Sequence, residues 1–171
     1  MSLNYQLSVI LQQIFKEMRK IWYLLKCSKE NEADYKDKFY EFVAAERLLE
    51  VVSFQCQRMM RYNSEWHLER RTLLPGYIFL SGSRAMVLKK EISLRPCSPP
   101  YLKELCQDGN LIGMSRGIIK DGIPIVTSGP LRGREQLIRR IDRHKRTAEI
   151  MVPIDGWEEK ATIGLEIYQK Q

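Results

Sequence analysis

No two of the four cysteines, Cys27, Cys56, Cys97 and Cys106, stand in the short C-x-x-C spacing that brings two thiolates to one metal. Histidine is scarce as well, with only His67 and His144. No metal site is therefore expected, and separate thiols in a reducing compartment are the expectation. The chain has no run of about 18 apolar residues, the length a membrane span requires. A secretory signal is missing too, because Lys16, Arg19 and Lys20 follow the first apolar positions instead of preceding them. These absences predict a cytoplasmic protein with no membrane partner. Chemistry is equally poorly provided for. His67 lies near Glu65 and Glu69, but no Ser or Cys sits in a nucleophile turn, and there is no phosphate-binding glycine loop. Neither catalysis nor a cofactor is expected.

What is present is an ordinary globular balance, 44% hydrophobic and 29% charged over 171 residues, enough for a packed core. Lys and Arg number 28 against 21 acids, a formal net charge of +7. That balance favours polyanionic partners, since neutralising phosphates releases condensed counterions.

The pattern changes along the chain. Leu3, Leu7, Ile10, Leu11, Ile14, Met18 and Ile21 recur at helical spacing, which predicts an amphipathic helix over residues 3–21. Its apolar face would pack on its own domain or on a second copy of the chain. Residues 22–26 read as a buried strand, 33–49 as a helix and 51–61 as a strand. Residues 62–71 are polar and basic and read as a hairpin tip or loop. After the Pro75–Gly76 break, Tyr77–Leu80 read as another strand. Short helices are expected at 85–91 and 101–106, separated by Pro96, Pro99 and Pro100, which forbid regular structure. From Ile118 onward short alternating runs appear, at 123–126, 137–141, 148–152 and 161–168. Several strands within about 55 residues predict a small closed or nearly closed β-barrel.

Charge is concentrated in that second half. Between Gly129 and Arg146 lie seven cations, Arg132, Arg134, Arg139, Arg140, Arg143, Lys145 and Arg146, against only Glu135 and Asp142. The fork of an arginine can grip phosphate or a guanine edge with two hydrogen bonds. His144 adds a further donor or stacking ring. These eight basic residues are the expected RNA-binding set. Gly129 and Gly133 tolerate positive φ, so the intervening turn can fold tightly and present Arg132 outward. Arg58, Arg61, Arg70 and Arg71 form a second, weaker basic group, for which solvation and nucleic-acid contact are both open readings.

The run Ile125–Gly133 (IVTSGPLRG), continuing through Ile141-Asp142-Arg143-His144-Lys145-Arg146-Thr147-Ala148, resembles the KOW module of NusG-type transcription elongation factors. Trp22-Tyr23-Leu24 and Leu74-Pro75-Gly76-Tyr77-Ile78-Phe79 are similar to the motifs of the family's N-terminal (NGN) domain. Gly129-Pro130-Leu131, the Arg143–Arg146 turn and the closing Gly164-Leu165-Glu166-Ile167 are most similar to the specialised LoaP-type paralogues. The resemblance implies an α+β fold, an NGN-like α/β sandwich followed by a small KOW (SH3-like) β-barrel. Its layout would be an extra N-terminal helix over 1–21, an NGN-like domain over 22–110 that is short after residue 80, a linker over 111–116 and a KOW barrel over 117–171. It implies a protein that rides on RNA polymerase, binds a structured RNA hairpin and promotes antitermination. A ribosomal protein or a termination factor is a further partner in the family. Tyr23, Tyr77 and Phe79 are the implied polymerase contacts; as large aromatics at strand positions Trp22 and Phe79 also read as core, and Tyr23 and Tyr77, alternating with them, as the surface positions. A ribosome-associated KOW protein without a polymerase role is the alternative.

Overall fold

A computed structural model describes residues 21–28, 30–44, 48–82, 95–97, 100–107, 109–154 and 156–170. The helix expected over 3–21, with the self-association assigned to it, falls outside these residues except for Ile21, as does the short helix expected at 85–91. In chain order the first elements are β1 (Ile21–Lys26), α1 (Glu32–Ala44), β2 (Leu48–Val52), β3 (Gln55–Tyr62), β4 (Glu65–Thr72), β5 (Tyr77–Gly82) and β6 (Arg95–Cys97). They are followed by β7 (Leu111–Ile112), β8 (Ser115–Lys120), β9 (Ile123–Ser128), β10 (Ile138–Asp142), β11 (Thr147–Ile154) and β12 (Trp157–Lys170). Among the described residues the chain is thus mostly β, in three sheets with one α-helix. Contacts divide it into two compact units, Met1–Val52 with Gly76–Ser98, and Ser53–Pro75 with Pro99–Gln171.

The first unit holds a four-stranded sheet in the order β2-β5-β1-β6. β1 runs antiparallel to β5, with Leu24 opposite Phe79, and antiparallel to β6. Trp22 and Leu24 are buried, and Tyr23 between them is half-buried, as alternation along a strand requires. The Pro75–Gly76 break is tied down at both sides. Cys27 N donates to Gly76 O at 2.8 Å, and Gly76 N donates to Glu32 Oε2 at 2.9 Å. Gly76 has φ +88°, and a Cβ there would fall 2.6 Å from the Cys27 carbonyl oxygen, so glycine is required. Glu32 stands in the first turn of α1, where a carboxylate complements the helix dipole, and Lys36 Nζ lies 2.7 Å from it.

The second unit holds the other two sheets. β4-β3-β7 is a hairpin extended by a short parallel strand, and β10-β11-β12-β8-β9 is a five-stranded sheet. The 14-residue β12 serves two partners, antiparallel to β11 through Gly164 and parallel to β8 from Leu165 onward. Period-two burial is clear: Ala148, Ile150, Val152 and Ile154 on β11 face the core with Ala161, Ile163 and Leu165 on β12. The expected barrel closure is not made by strand pairing among the described residues. The sheet ends at β9 and β10, and the 3-10 turn Glu135–Leu137 touches β9 at one end and β11 beside the other.

Several local expectations are revised. The helix expected over 33–49 ends at Ala44, and Leu48 and Leu49 open β2. Pro96 does not forbid regular structure, because it lies on β6, an edge strand, where a missing N–H is tolerated. Residues 51–61 do not form one strand, because Ser53 and the buried Phe54 separate β2 from β3, which belong to different sheets. Of the hairpin tip or loop expected at 62–71, a tip is present but is confined to Asn63 and Ser64; Tyr62 ends β3, and the rest is β4, paired to β3 through eight residue pairs. The helix expected at 101–106 is a 3-10 turn, Tyr101–Leu105, burying Leu102 and Leu105. Residues 111–116, expected as a linker, hold β7 and the start of β8.

Candidate nucleic-acid interface

Gly129 starts the turn that orders the basic stretch. Its φ is +91°, and a Cβ would fall 2.5 Å from Met114 O and 2.6 Å from Ser115 Cα. The turn therefore lies directly on the start of β8. The fully buried Ser115 Oγ accepts a hydrogen bond from Leu131 N at 3.1 Å, and Leu131 is itself fully buried. Arg132 is left exposed at the tip, while Arg134 is half-buried and donates from Nη1 to Pro130 O at 3.4 Å. Glu135 Oε1 accepts from Val126 N at 3.1 Å. Burial opposes ionisation of that carboxyl, but backbone N–H groups of Glu135, Val126 and Gly133 outweigh it and set its pKa below the ordinary value.

β10 is an edge strand with a bulge between Ile138 and Arg140. A bulge breaks the strict alternation of side chains, and both Arg139 and Arg140 are exposed. The next turn is built by Asp142. Its Oδ1 accepts from Lys145 N at 2.9 Å, and this bond is the largest cause holding its carboxyl pKa low. Arg146 N donates to Arg143 O at 3.3 Å, with Arg146 at φ +52°. Arg143, His144 and Lys145 are carried outward on this turn, all three exposed. Among the described residues Arg132, Arg139, Arg140 and Arg143 have no acidic partner.

Arg146 behaves differently from the other cations. Its Nη1 lies 3.1 Å from Glu166 Oε1, and its guanidinium stands 4.3 Å from the centre of the Trp66 ring. Glu166 Oε2 takes Arg116 Nε at 3.1 Å, and Arg116 in turn lies 5.4 Å from the Tyr168 ring centre. A ladder of alternating charges with a ring at each end thus runs from Trp66 on β4 across Arg146, Glu166 and Arg116 to Tyr168 on β12. It joins the hairpin to the basic turn within one compact unit. Arg61, at 6.0 Å from Trp66, places a cation from the second basic group beside the same ring.

On the outer face of the sheet, Arg140, Glu149 and Thr162 lie in register across β10, β11 and β12. With Asp142, Lys145 and Thr147 they line a cavity of about 220 Å³. Glu149 is paired to Lys160 at 3.1 Å, so the cavity mixes both charge signs. Arginines with no acidic partner among the described residues equip this surface to grip phosphates.

The implied polymerase contacts are mostly buried. Tyr77 is 6% and Phe79 2% exposed, because β5 is an inner strand buried along its whole length. Lys26 Nζ sits 5.1 Å from the Tyr77 ring. Tyr23 alone of the three keeps partial exposure. Sequence reasoning did not find Trp66, Arg116, Glu166 or Tyr168. The alternation of Trp66 and Leu68 with His67 and Glu69 was the available signal, hidden by the density of charge around it. Among the described residues no His, Cys, Asp and Glu cluster could hold a metal, and no helix is long and apolar enough to cross a membrane. Compared with protein-family models the chain matches none, and comparison with curated proteins likewise yields no match.

Proposed function

We propose that this chain is a transcription elongation factor of the NusG type that binds nascent or leader RNA through its second unit and RNA polymerase through its first, promoting antitermination. One observation carries the RNA half of the reading. Four exposed arginines without acidic partners among the described residues, Arg132, Arg139, Arg140 and Arg143, stand on an edge strand and two hydrogen-bonded turns, with Lys145 and His144 beside them. Fixed turns reduce the entropy lost when these side chains meet phosphate. The resemblance at Trp22–Leu24 and Leu74–Phe79 supports the polymerase half, and Tyr23 is the side chain of the three with surface to offer. The NGN-plus-KOW layout belongs to this reading. Support for it comes from the glycine-proline turn seated on β8, while the β3–β4 hairpin groups with the C-terminal residues and not with the rest of the NGN-like stretch.

Transcription in vitro through a terminator, with and without the purified chain and a leader hairpin, tests the whole reading. Read-through that depends on both is the expected result. Retention on ribosomes with no retention on core polymerase would instead favour a ribosome-associated RNA-binding protein.

A further inference from the structure

The hairpin β3–β4 carries a second feature that the basic turn does not use. The Tyr62 and His67 rings are parallel, 3.8 Å apart between centres and 8° from coplanar. Tyr62 is nonetheless 46% exposed. With one ring face covered by His67, that exposure belongs to the opposite face and the edges. The tip is a two-residue turn with Asn63 at φ 51° and Ser64 at φ 66°, the left-handed geometry that matches the twist of a hairpin. The Glu69 carboxylate, paired with Arg71, lies beside the Tyr62 hydroxyl, whose pKa is raised first by burial and then by that negative charge. His67 Nε2 is buried without a hydrogen-bond partner, so its ring serves as a flat support and not as a polar link.

From this geometry, and resting on the RNA-binding reading above, we propose that Tyr62 on its His67 support is a stacking platform for an unpaired RNA base. The Trp66 face of the hairpin tip is fastened to the basic turn through Arg146. The Tyr62 face looks away from that contact, as opposite faces of one strand ribbon must. An RNA whose helix phosphates lie on the basic turn and whose single strand passes over the hairpin tip reaches the opposite face of the same hairpin, where the Tyr62 ring is exposed. Base-on-ring stacking tolerates any base, since each has a flat π face, and an ordered ring loses little freedom on binding. The RNA implied is a helix flanked by unpaired nucleotides, as at a hairpin loop, and not a continuous duplex.

The test uses the full chain, a hairpin RNA with a single-stranded loop carrying 2-aminopurine, and a blunt duplex of equal length. The wild-type chain is expected to prefer the hairpin and to change the 2-aminopurine fluorescence on binding. Tyr62→Ala should weaken hairpin binding roughly tenfold and leave duplex binding unchanged, while Tyr62→Phe, which keeps the ring, should retain the preference. The salt dependence should stay the same in Tyr62→Ala, because no cation is removed. Equal losses on both RNAs, no loss on either, or an unchanged 2-aminopurine signal at saturation with wild-type chain would each overturn the platform while leaving the basic turn in place. If the wild-type chain binds neither RNA, the RNA-binding reading fails and the platform with it.

Discussion

The Arg146 guanidinium stands 4.3 Å from the centre of the Trp66 ring while its Nη1 lies 3.1 Å from Glu166. One side chain of the basic turn is thereby withdrawn from the solvent-facing set and used to fasten the β3–β4 hairpin. Its left-handed backbone, φ +52°, is what turns it away from its neighbours Arg143, His144 and Lys145. The charge run divides into cations that present themselves and two, Arg134 and Arg146, that build.

Trp66→Ala is expected to loosen the hairpin. A cation over an indole contributes about 0.5–2 kcal/mol, depending on how far water is excluded. The pair is coupled, so Trp66→Ala and Arg146→Ala together should destabilise the chain by less than their separate effects added. Denaturant titrations of the four proteins in a double-mutant cycle measure that coupling. A coupling indistinguishable from zero would mean that ring and guanidinium are merely neighbours.

Arg143 and Lys145 are expected to act on RNA without acting on the fold, since both are exposed on the turn. Replacing both with Ala should weaken RNA binding and flatten the dependence of log K on log salt concentration. Each phosphate left without its cation reduces the steepness of that slope by about 0.7–0.9. Titrations at several salt concentrations read it directly, and thermal melts should coincide with wild type. An unchanged slope would reduce the turn to a solvated edge.

Much of the fold was legible because its strands bury one face. The alternation over Ala161–Tyr168 and the apolar runs at 22–26 and 77–80 led to the right elements. The same rule misled wherever its premise failed. Alternation with the core aromatics places Tyr77 on a surface, but β5 is an inner strand buried throughout, Phe79 included. Residues 65–72 hide a strand for the opposite reason. Glu65, Glu69, Arg70 and Arg71 read as a solvated loop, although charged side chains are acceptable on a ribbon that keeps water on much of its surface. Their partner strand, rather than their own composition, makes them β. Gly129 was legible as a turn former, but the role of Ser115 beneath it was not, because its hydrogen bond with Leu131 links residues 16 apart in the chain. The ladder through Glu166 is unreadable from spacing alone, since it joins three strands and a turn that are distant in sequence.

Acid should act on the turns. Glu135 and Asp142 both have pKa values below the ordinary 4.5 and 3.8. A carboxyl whose folded pKa is depressed contributes stability above its unfolded pKa and loses it as pH falls through the folded one. Stability of the second unit is therefore expected to be level near neutrality and to decline below about pH 4.5. Asp142→Asn retains an oxygen for Lys145 N and should remove part of that acid dependence. Thermal melts across pH 3–7 follow both proteins, and parallel curves would show that Asp142 does not contribute.

Gly164 provides the sharpest test of how the hairpin is seated. It lies where β12 changes partners from β11 to β8. A Cβ there would meet Met114 Sδ and stand 2.5 Å from Gln57 O, a backbone atom of β3. The thioether can swing aside, but the strand cannot yield without breaking its own contacts. Nearby, Cys56 Sγ donates to Thr162 O at 3.5 Å, and Met114 N donates to Gln57 Oε1 at 3.3 Å, so the same approach is fixed from two further sides. Gly164→Ala is accordingly expected to cost about 1–3 kcal/mol, as overpacking of a close approach does. The loss should fall on the hairpin before the five-stranded sheet. Hydrogen exchange should then speed up at amides of residues 55–72 with little change in β11, and Trp66 fluorescence should shift as the ring loses Arg146. Met114→Ala combined with Gly164→Ala removes the thioether and leaves the Gln57 oxygen. If that double variant recovers full stability, the thioether alone was the obstacle and β3 does not lie against β12 at Gly164 as closely as described.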